Sequence, residues 1–181
     1  MKDSIGVISF PCFTHEEVKE INKEIEKNIL RKEDISEAAI RKGVVKIGDF
    51  FPIPLAPLME LLHPWLYQCQ QANKKIFGYD INWNFHLESL NYNVYEVKGE
   101  YGWHIDASKE QMFDVKLTCL LNLSEEPYEG GEFYTIGRTE SMKFDSGMGL
   151  IFNSLIAHKV TPITKGKRIT LTYWADGPTW R

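Results

Sequence analysis

FHLESLNYNVYEV (85–97), EYGWHIDAS (100–108) and VKLTCLLNLS (115–124) open a run of short segments rich in β-branched and aromatic residues. It continues through GEFYTI (131–136), SMKFD (141–145), GLIFNS (149–154), AHKVTPI (157–163) and RITLTYWA (168–175). Lys98-Gly99, Glu125 to Gly131, Asp145 to Gly149 and Lys165-Gly166 separate them with turn compositions. About eight short strands after a helical start predict a mainly-β chain. Its architecture is an antiparallel double sheet of the jelly-roll type, with helices on one face.

Toward the N-terminus, a strand is predicted at Ile5 to Phe10. Thr14 and Glu17 then form a capping box, with Phe13 placed for a staple onto Val18. Val18, Ile21, Ile25 and Ile29 recur at helical spacing, predicting an amphipathic helix over about 14–31. Residues 32–57 include the proline-broken FFPIPLAP and read as loop with a short strand at 44–47. Leu61, Leu62, Trp65, Leu66, Cys69, Ala72 and Ile76 predict a second helix over 58–77, ended by Gly78. With no repeat or linker composition, one domain is expected over 1–181, with helical support at about 14–78 and a jelly-roll core at about 85–176.

The chain has 181 residues, 43% hydrophobic and 25% charged, with 8 Pro and 13 Gly, which excludes disordered and collagen-like classes. At this length a core forms without disulfides or a structural metal, so a bound metal would be functional. Net charge −4 and a pI near 5.8 give no basic field for nucleic acid. Cys12, Cys69 and Cys119 lack any C-x-x-C spacing and sit among apolar neighbours, as core thiols do in a reducing cytoplasm. The N-terminus shows no signal-like apolar run, and no stretch is long enough for a membrane helix, so a soluble, cytoplasmic protein is expected.

The chemistry concentrates in three places. In Tyr101-Gly102-Trp103-His104-Ile105-Asp106, side chains two apart share a strand face, so His104 and Asp106 can hold one ion together. Alone, that step equally describes a surface histidine paired with a carboxylate. His158 lies in AHKVTPI, and the Thr164-Lys165-Gly166 loop predicts a hairpin into RITLTYWA. Its register sets Ile163 opposite Lys167, Pro162 opposite Arg168 and His158 opposite Thr172. Arg168 then looks into the same cavity as His158, roughly 13 Å along the strand, a gap that a small dianion could bridge. Two His and one carboxylate make a facial triad, which leaves three positions of an octahedral ion open and suits Fe(II) with a bidentate 2-oxo acid and dioxygen. Zinc more often takes a closed four-coordinate set.

Tyr95, Gly99, Tyr101, His104-x-Asp106, Tyr128-Glu129-Gly130-Gly131-Glu132, Gly149, Phe152, His158-x-Val160-Thr161-Pro162, Gly166-x-Arg168 and Trp174 fall in one order over about 85–178. The series resembles the prolyl 4-hydroxylase-like branch of the Fe(II)/2-oxoglutarate-dependent dioxygenases, and bacterial PKHD-type hydroxylases in particular. The resemblance implies a double-stranded β-helix, cupin-like in form. It implies His104, Asp106 and His158 as iron ligands and Arg168 as the cation for the far carboxylate of 2-oxoglutarate. It puts Tyr95 near the iron-chelating end of the cosubstrate, Trp174 beside the site and Leu120 as an apolar wall, although each also reads as plain packing. The reaction implied is hydroxylation of a C–H bond by dioxygen, with release of succinate and carbon dioxide and with ascorbate as a possible accessory reductant. The substrate implied is a prolyl residue of a peptide or protein.

In several animal relatives a tyrosine on the strand corresponding to LTCLLNL also binds the far carboxylate; Asn122 stands there in this chain. Thr172 or a water would supply that hydrogen bond, unless the alignment is shifted by one residue. His15, His63 and His86 read as solvated or packing residues, Gly130-Gly131 as a bulge, and Lys165 and Lys167 as a solvated hairpin tip. Residues 32–57 and 107–113 would flank the metal mouth, and their mixed charged and apolar composition suits a polypeptide better than a polyanion. Three alternatives remain from the residues alone: a non-catalytic cupin-like sensor, an oxygenase acting on a small molecule or nucleic acid, and a metal hydrolase. Arg168 argues against the first and last.

Overall fold

A computed structural model describes residues 6–28, 45–46, 48–83, 89–107 and 114–180. The strands are β1 (Val7–Pro11), β2 (Val45–Lys46), β3 (Asp49–Pro54), β4 (Ser89–Tyr95), β5 (Glu100–His104), β6 (Asp114–Asn122), β7 (Glu129–Gly130), β8 (Phe133–Thr135), β9 (Met148–Asn153), β10 (His158–Val160), β11 (Ile163–Lys165) and β12 (Arg168–Gly177). The helices are α1 (His15–Asn28) and α2 (Met59–Ala72). Six strands form a large sheet in the order β1-β9-β6-β12-β4-β3, four form a smaller one in the order β2-β5-β10-β8, and β11 pairs with β7. All the pairings are antiparallel. This mostly-β arrangement is consistent with a jelly roll.

Alternation along the central strands sorts the side chains. Leu90, Tyr92 and Val94 of β4, Leu117, Cys119 and Leu121 of β6, and Ile169, Leu171, Tyr173 and Ala175 of β12 pack in one core with Val18, Ile21 and Ile25 of α1 and Leu62, Trp65, Leu66 and Cys69 of α2. Burying such side chains contributes roughly 1.5–3 kcal/mol each before ordering costs. The opposite face carries Asn93 and Tyr95, then Thr118, Leu120 and Asn122, then Arg168, Thr170 and Thr172, all buried. Leu120 joins Val7, Phe133, Phe144, Leu150, Phe152 and Val160 in a second apolar cluster that includes residues of both sheets. Polar residues buried on one face of an otherwise apolar sheet are the feature that singles out this side.

Both helices form where their periodicity puts them. At the start of α1 the Thr14 N–H donates to Glu17 Oε2 at 2.7 Å and the Glu17 N–H to Thr14 Oγ1 at 3.3 Å, a reciprocal cap. Residues 29–31 of the predicted helix lie outside the described residues. The second helix is regular to Ala72 and then widens into a π turn, Asn73–Phe77, before Gly78 adopts φ 68°. The three cysteines are free thiols, with Cys69 and Cys119 buried in the core and Cys12 partly so.

Two expectations are corrected. FFPIPLAP is not a plain loop: residues 49–54 form β3, in register with β4 from Asp49 opposite Val94 to Pro54 opposite Ser89. The strand tolerates Pro52 and Pro54 because it is an edge, and prolines two apart turn the same side, without N–H groups, away from β4. Phe51 packs at the core, and Phe50 lies edge-on to Tyr95 and Tyr101, so both aromatics are structural rather than open loop surface. The hairpin joining His158 to Arg168 also does not form. β10 pairs with β5 and β8, β11 with β7, and β12 with β4 and β6, so Arg168 faces Tyr95 while Thr172 faces Asn91 and Leu120. The chain passes from the small sheet to the large one between Val160 and Arg168, and the Gly166 turn (φ 77°) serves that crossing.

Candidate functional site

His104 ends β5, and Asp106 follows two residues later, its N–H and that of Ala107 donating to the Ser154 carbonyl. His158 begins β10 directly opposite His104, so one antiparallel pairing delivers both imidazoles to the same spot. Ligand atoms of His104, Asp106 and His158 all lie within 4.8 Å of one another. His104 Nε2 is 3.5 Å from Asp106 Oδ1, and His158 Nε2 is 3.6 Å from Asp106 Oδ2.

Hydrogen bonding assigns the tautomers. His104 Nδ1 is 2.8 Å from the Gly102 carbonyl and His158 Nδ1 is 2.9 Å from the Ile156 carbonyl. A carbonyl only accepts, so each Nδ1 carries a proton and each ring turns Nε2 toward Asp106. Burial, only partly offset by Asp106, holds His158 below its ordinary pKa and favours the neutral ring. Burial works against the charge on Asp106, but His104, His158 and the Thr118 hydroxyl outweigh it and hold the carboxyl below its usual range. The Nε2 atoms of both imidazoles and the carboxylate therefore converge on one point. Two imidazoles with one carboxylate fit a divalent first-row ion with open positions.

Neighbours hold the three groups in place. Thr118 Oγ1 donates to Asp106 Oδ2 at 2.6 Å. Tyr101 stacks face to face on His104, with centroids 3.6 Å apart and planes at 7°, and Phe152 meets His158 edge-on at 4.7 Å. Such partners fix ring orientation and ligand basicity.

Arg168 is 2% exposed, its Nε has no hydrogen-bond partner, and no carboxylate among the described residues pairs with it. Its guanidinium lies between the rings of Tyr95 and Phe144, 5.7 and 5.6 Å from their centroids. A buried cation without a counter-ion is costly, so this position calls for an anion. Tyr95 feels both charged groups: burial pushes its phenol up, Arg168 pulls it down, and Tyr101 and Asp106 push it up again. A cavity of about 690 Å³ lined by Tyr128, Gly131, Phe133 and Phe144 lies against this end and not at the triad.

Of the other residues singled out from the sequence, Leu120 is buried in the second apolar cluster and Trp174 is 38% exposed. Thr172 accepts from Asn93 Nδ2 at 2.9 Å. Asn122 is fully buried, donating to the Phe144 carbonyl at 2.7 Å and to the Tyr128 hydroxyl at 3.2 Å and accepting from the Ser124 N–H at 3.0 Å. Thr118 and Asn93 were missed, and Tyr128 stood in the motif series without a role. Thr118 was within reach of sequence reasoning, since alternation in LTCLLNL puts it on the same face as Leu120 and Asn122. His86 and residues 108–113 lie outside the described residues.

Residues 90–176 match the 2OG-Fe(II) oxygenase superfamily. Over 93 residues the chain is 34% identical to a PKHD-type hydroxylase of Alteromonas mediterranea, covering 46% of this chain and 41% of that one. It is likewise 34% identical over 99 residues to a PKHD-type hydroxylase of Aliarcobacter butzleri, covering 49% and 43%. The match thus spans less than half the length of these relatives. Among solved structures, the viral collagen prolyl hydroxylase of Paramecium Bursaria Chlorella virus-1 superposes with a TM-score of 0.71 at 15% identity, over 97% of this chain and 98% of that one. A Pseudomonas putida prolyl-4-hydroxylase superposes at 0.68 with 16% identity, over 97% and 95%. Residues 90–176, which carry His104, Asp106, His158 and Arg168, are therefore similar to the 2OG-Fe(II) oxygenase superfamily and, within it, to PKHD-type hydroxylases.

Proposed function

We propose that the protein hydroxylates a C–H bond of a prolyl residue in a peptide or protein, within one oxygenase domain that has helical support at about 14–78 and a double-stranded β-helix core at about 85–176. The substrate and dioxygen react with 2-oxoglutarate to give the alcohol, succinate and carbon dioxide. His104, Asp106 and His158 hold the iron, and Arg168 takes the far carboxylate of 2-oxoglutarate. The observation that carries this reading is the buried Arg168, unpaired, on the inner face of the sheet that also supplies Thr118 to Asp106. A metal hydrolase or a sensor has no use for such a cation. The iron supplies redox chemistry with dioxygen when bound. The protein's own side chains fix the geometry: carbonyl-anchored imidazoles, a carboxylate steadied by Thr118, and an apolar wall of Leu120, Phe133 and Phe152 that excludes water. Tyr95 lines the path between cation and triad, Thr172 borders the same face, and Trp174 stands beside its outer end.

Exposed apolar side chains around the triad support a polypeptide substrate. Ile105 is 48%, Leu155 50% and Ile136 65% exposed, and hydrogen bonds from Asp106 to Ser154 and from Ile136 to Ala157 bring their segments together. Incubating the iron-loaded protein with 2-oxoglutarate, labelled dioxygen and a proline-containing peptide library should give labelled hydroxyproline by mass spectrometry. Label found only in a free amino acid, a small metabolite or a nucleobase would sink the prolyl assignment.

A further inference from the structure

We infer that the Tyr128 hydroxyl is the second donor to the anion held by Arg168, delivered from the β6–β7 loop and aimed by Asn122. The inference rests on the proposed role of Arg168 and adds a residue to it. Asn122 lies on the inner face of β6 opposite Thr170, two residues along β12 from Arg168. Its amide has one possible orientation: Oδ1 accepts from the Ser124 N–H at 3.0 Å, and Nδ2 donates to the Phe144 carbonyl at 2.7 Å. The second proton of Nδ2 points at Tyr128 Oη, 3.2 Å away, so the phenol oxygen accepts there and its own proton must go elsewhere.

Among the described residues that proton has no acceptor. Arg168 is close by: a Cβ built on Gly131 would lie 3.0 Å from Arg168 Cδ and 3.2 Å from Tyr128 Cε2, so one glycine lets both side chains close on the same spot. The positive φ of 68° at Gly131 and the missing side chain make that approach possible. A phenol that accepts one hydrogen bond is polarised into a better donor, and a buried guanidinium with an unpartnered Nε beside it marks where the negative charge sits. Because Tyr128 also borders the 690 Å³ cavity and is only half-buried, its hydroxyl is steered by Asn122 rather than wedged by packing. Asparagine at 122 is too short to reach the anion itself; here it acts as a positioning residue for a phenol contributed by the loop. Thr172, whose hydroxyl is engaged by Asn93, is not needed for this contact.

The test is anaerobic calorimetry of 2-oxoglutarate and of 2-oxopentanoate, which lacks the far carboxylate, binding to the Mn(II)-loaded protein. Tyr128→Phe should weaken 2-oxoglutarate about tenfold to a hundredfold, the usual loss of a hydrogen bond to a charged group, and leave 2-oxopentanoate nearly unchanged. Equal weakening of both acids, or no weakening of 2-oxoglutarate, overturns the role of Tyr128. Arg168→Ala in the same assay separates the two claims. If it discriminates the acids while Tyr128→Phe does not, the cation assignment stands and the tyrosine falls. If the unaltered protein binds both acids equally, both fall.

Discussion

Asp106→Ala is expected to reduce 2-oxoglutarate decarboxylation to the background of free Fe(II) while leaving thermal unfolding nearly unchanged. The carboxylate is the one charged donor among the three, and without it two neutral imidazoles face a divalent cation alone. Losing a mere outer-shell partner costs roughly 10–100-fold in metal affinity or activity, and loss of a ligand exceeds that. The fold does not depend on the group. Asp106 follows the end of β5 and lies outside both apolar clusters, and its backbone N–H bond to Ser154 survives the substitution. The variant is read by succinate release and by circular dichroism on heating; full turnover with an intact fold would remove Asp106 from the metal centre. His104→Ala and His158→Ala should behave the same way.

The second large effect belongs to Arg168. Arg168→Ala should raise the 2-oxoglutarate concentration needed for half-maximal turnover by tens to thousands of fold, corresponding to about 2–5 kcal/mol for a buried charge-assisted pair, with iron affinity little changed. Arg168→Lys should fall between the two, because an ammonium replaces the charge but not the planar fork. Among the described residues, no neighbouring cation is placed to compensate. Lys159 lies over the rings of Trp103 and Tyr134 on the other face of β10 from His158, and Lys165 is exposed and paired with Glu129. An unchanged cosubstrate requirement in Arg168→Ala would contradict the assignment.

How much of this was legible in the sequence depends on which interaction is local. Capping and periodicity act within a few residues, so α1 and α2 are found where Thr14, Glu17 and the apolar steps put them. Alternation is local too, and it assigned Arg168 and Thr172 to one face correctly although the partner strand was wrong. Pairing between strands is not local. The Thr164 to Gly166 stretch reads as a turn, but nothing in its composition says that β11 goes to β7 and β12 to β4 and β6. Likewise Pro52 and Pro54 break a ladder only if their edge needs N–H donors, which requires knowing that β3 has a neighbour on one side alone. The triad was readable because His104 and Asp106 are two apart and the order of motifs supplied His158. Alternation puts Thr118 on the inner face, but its contact with Asp106 from a different strand, like the contact of Tyr128 with Asn122 from a loop, depends on packing that only the folded chain reveals.

The central claim is that one centre built by His104, Asp106 and His158 binds iron and 2-oxoglutarate together. Anaerobic addition of Fe(II) and then 2-oxoglutarate to the apoprotein, followed in visible light, tests it most directly. A metal-to-ligand charge-transfer band should grow with 2-oxoglutarate, saturate at one equivalent of iron per chain, and be absent in Asp106→Ala. No band in the unaltered protein, or an equal band in Asp106→Ala, would contradict it.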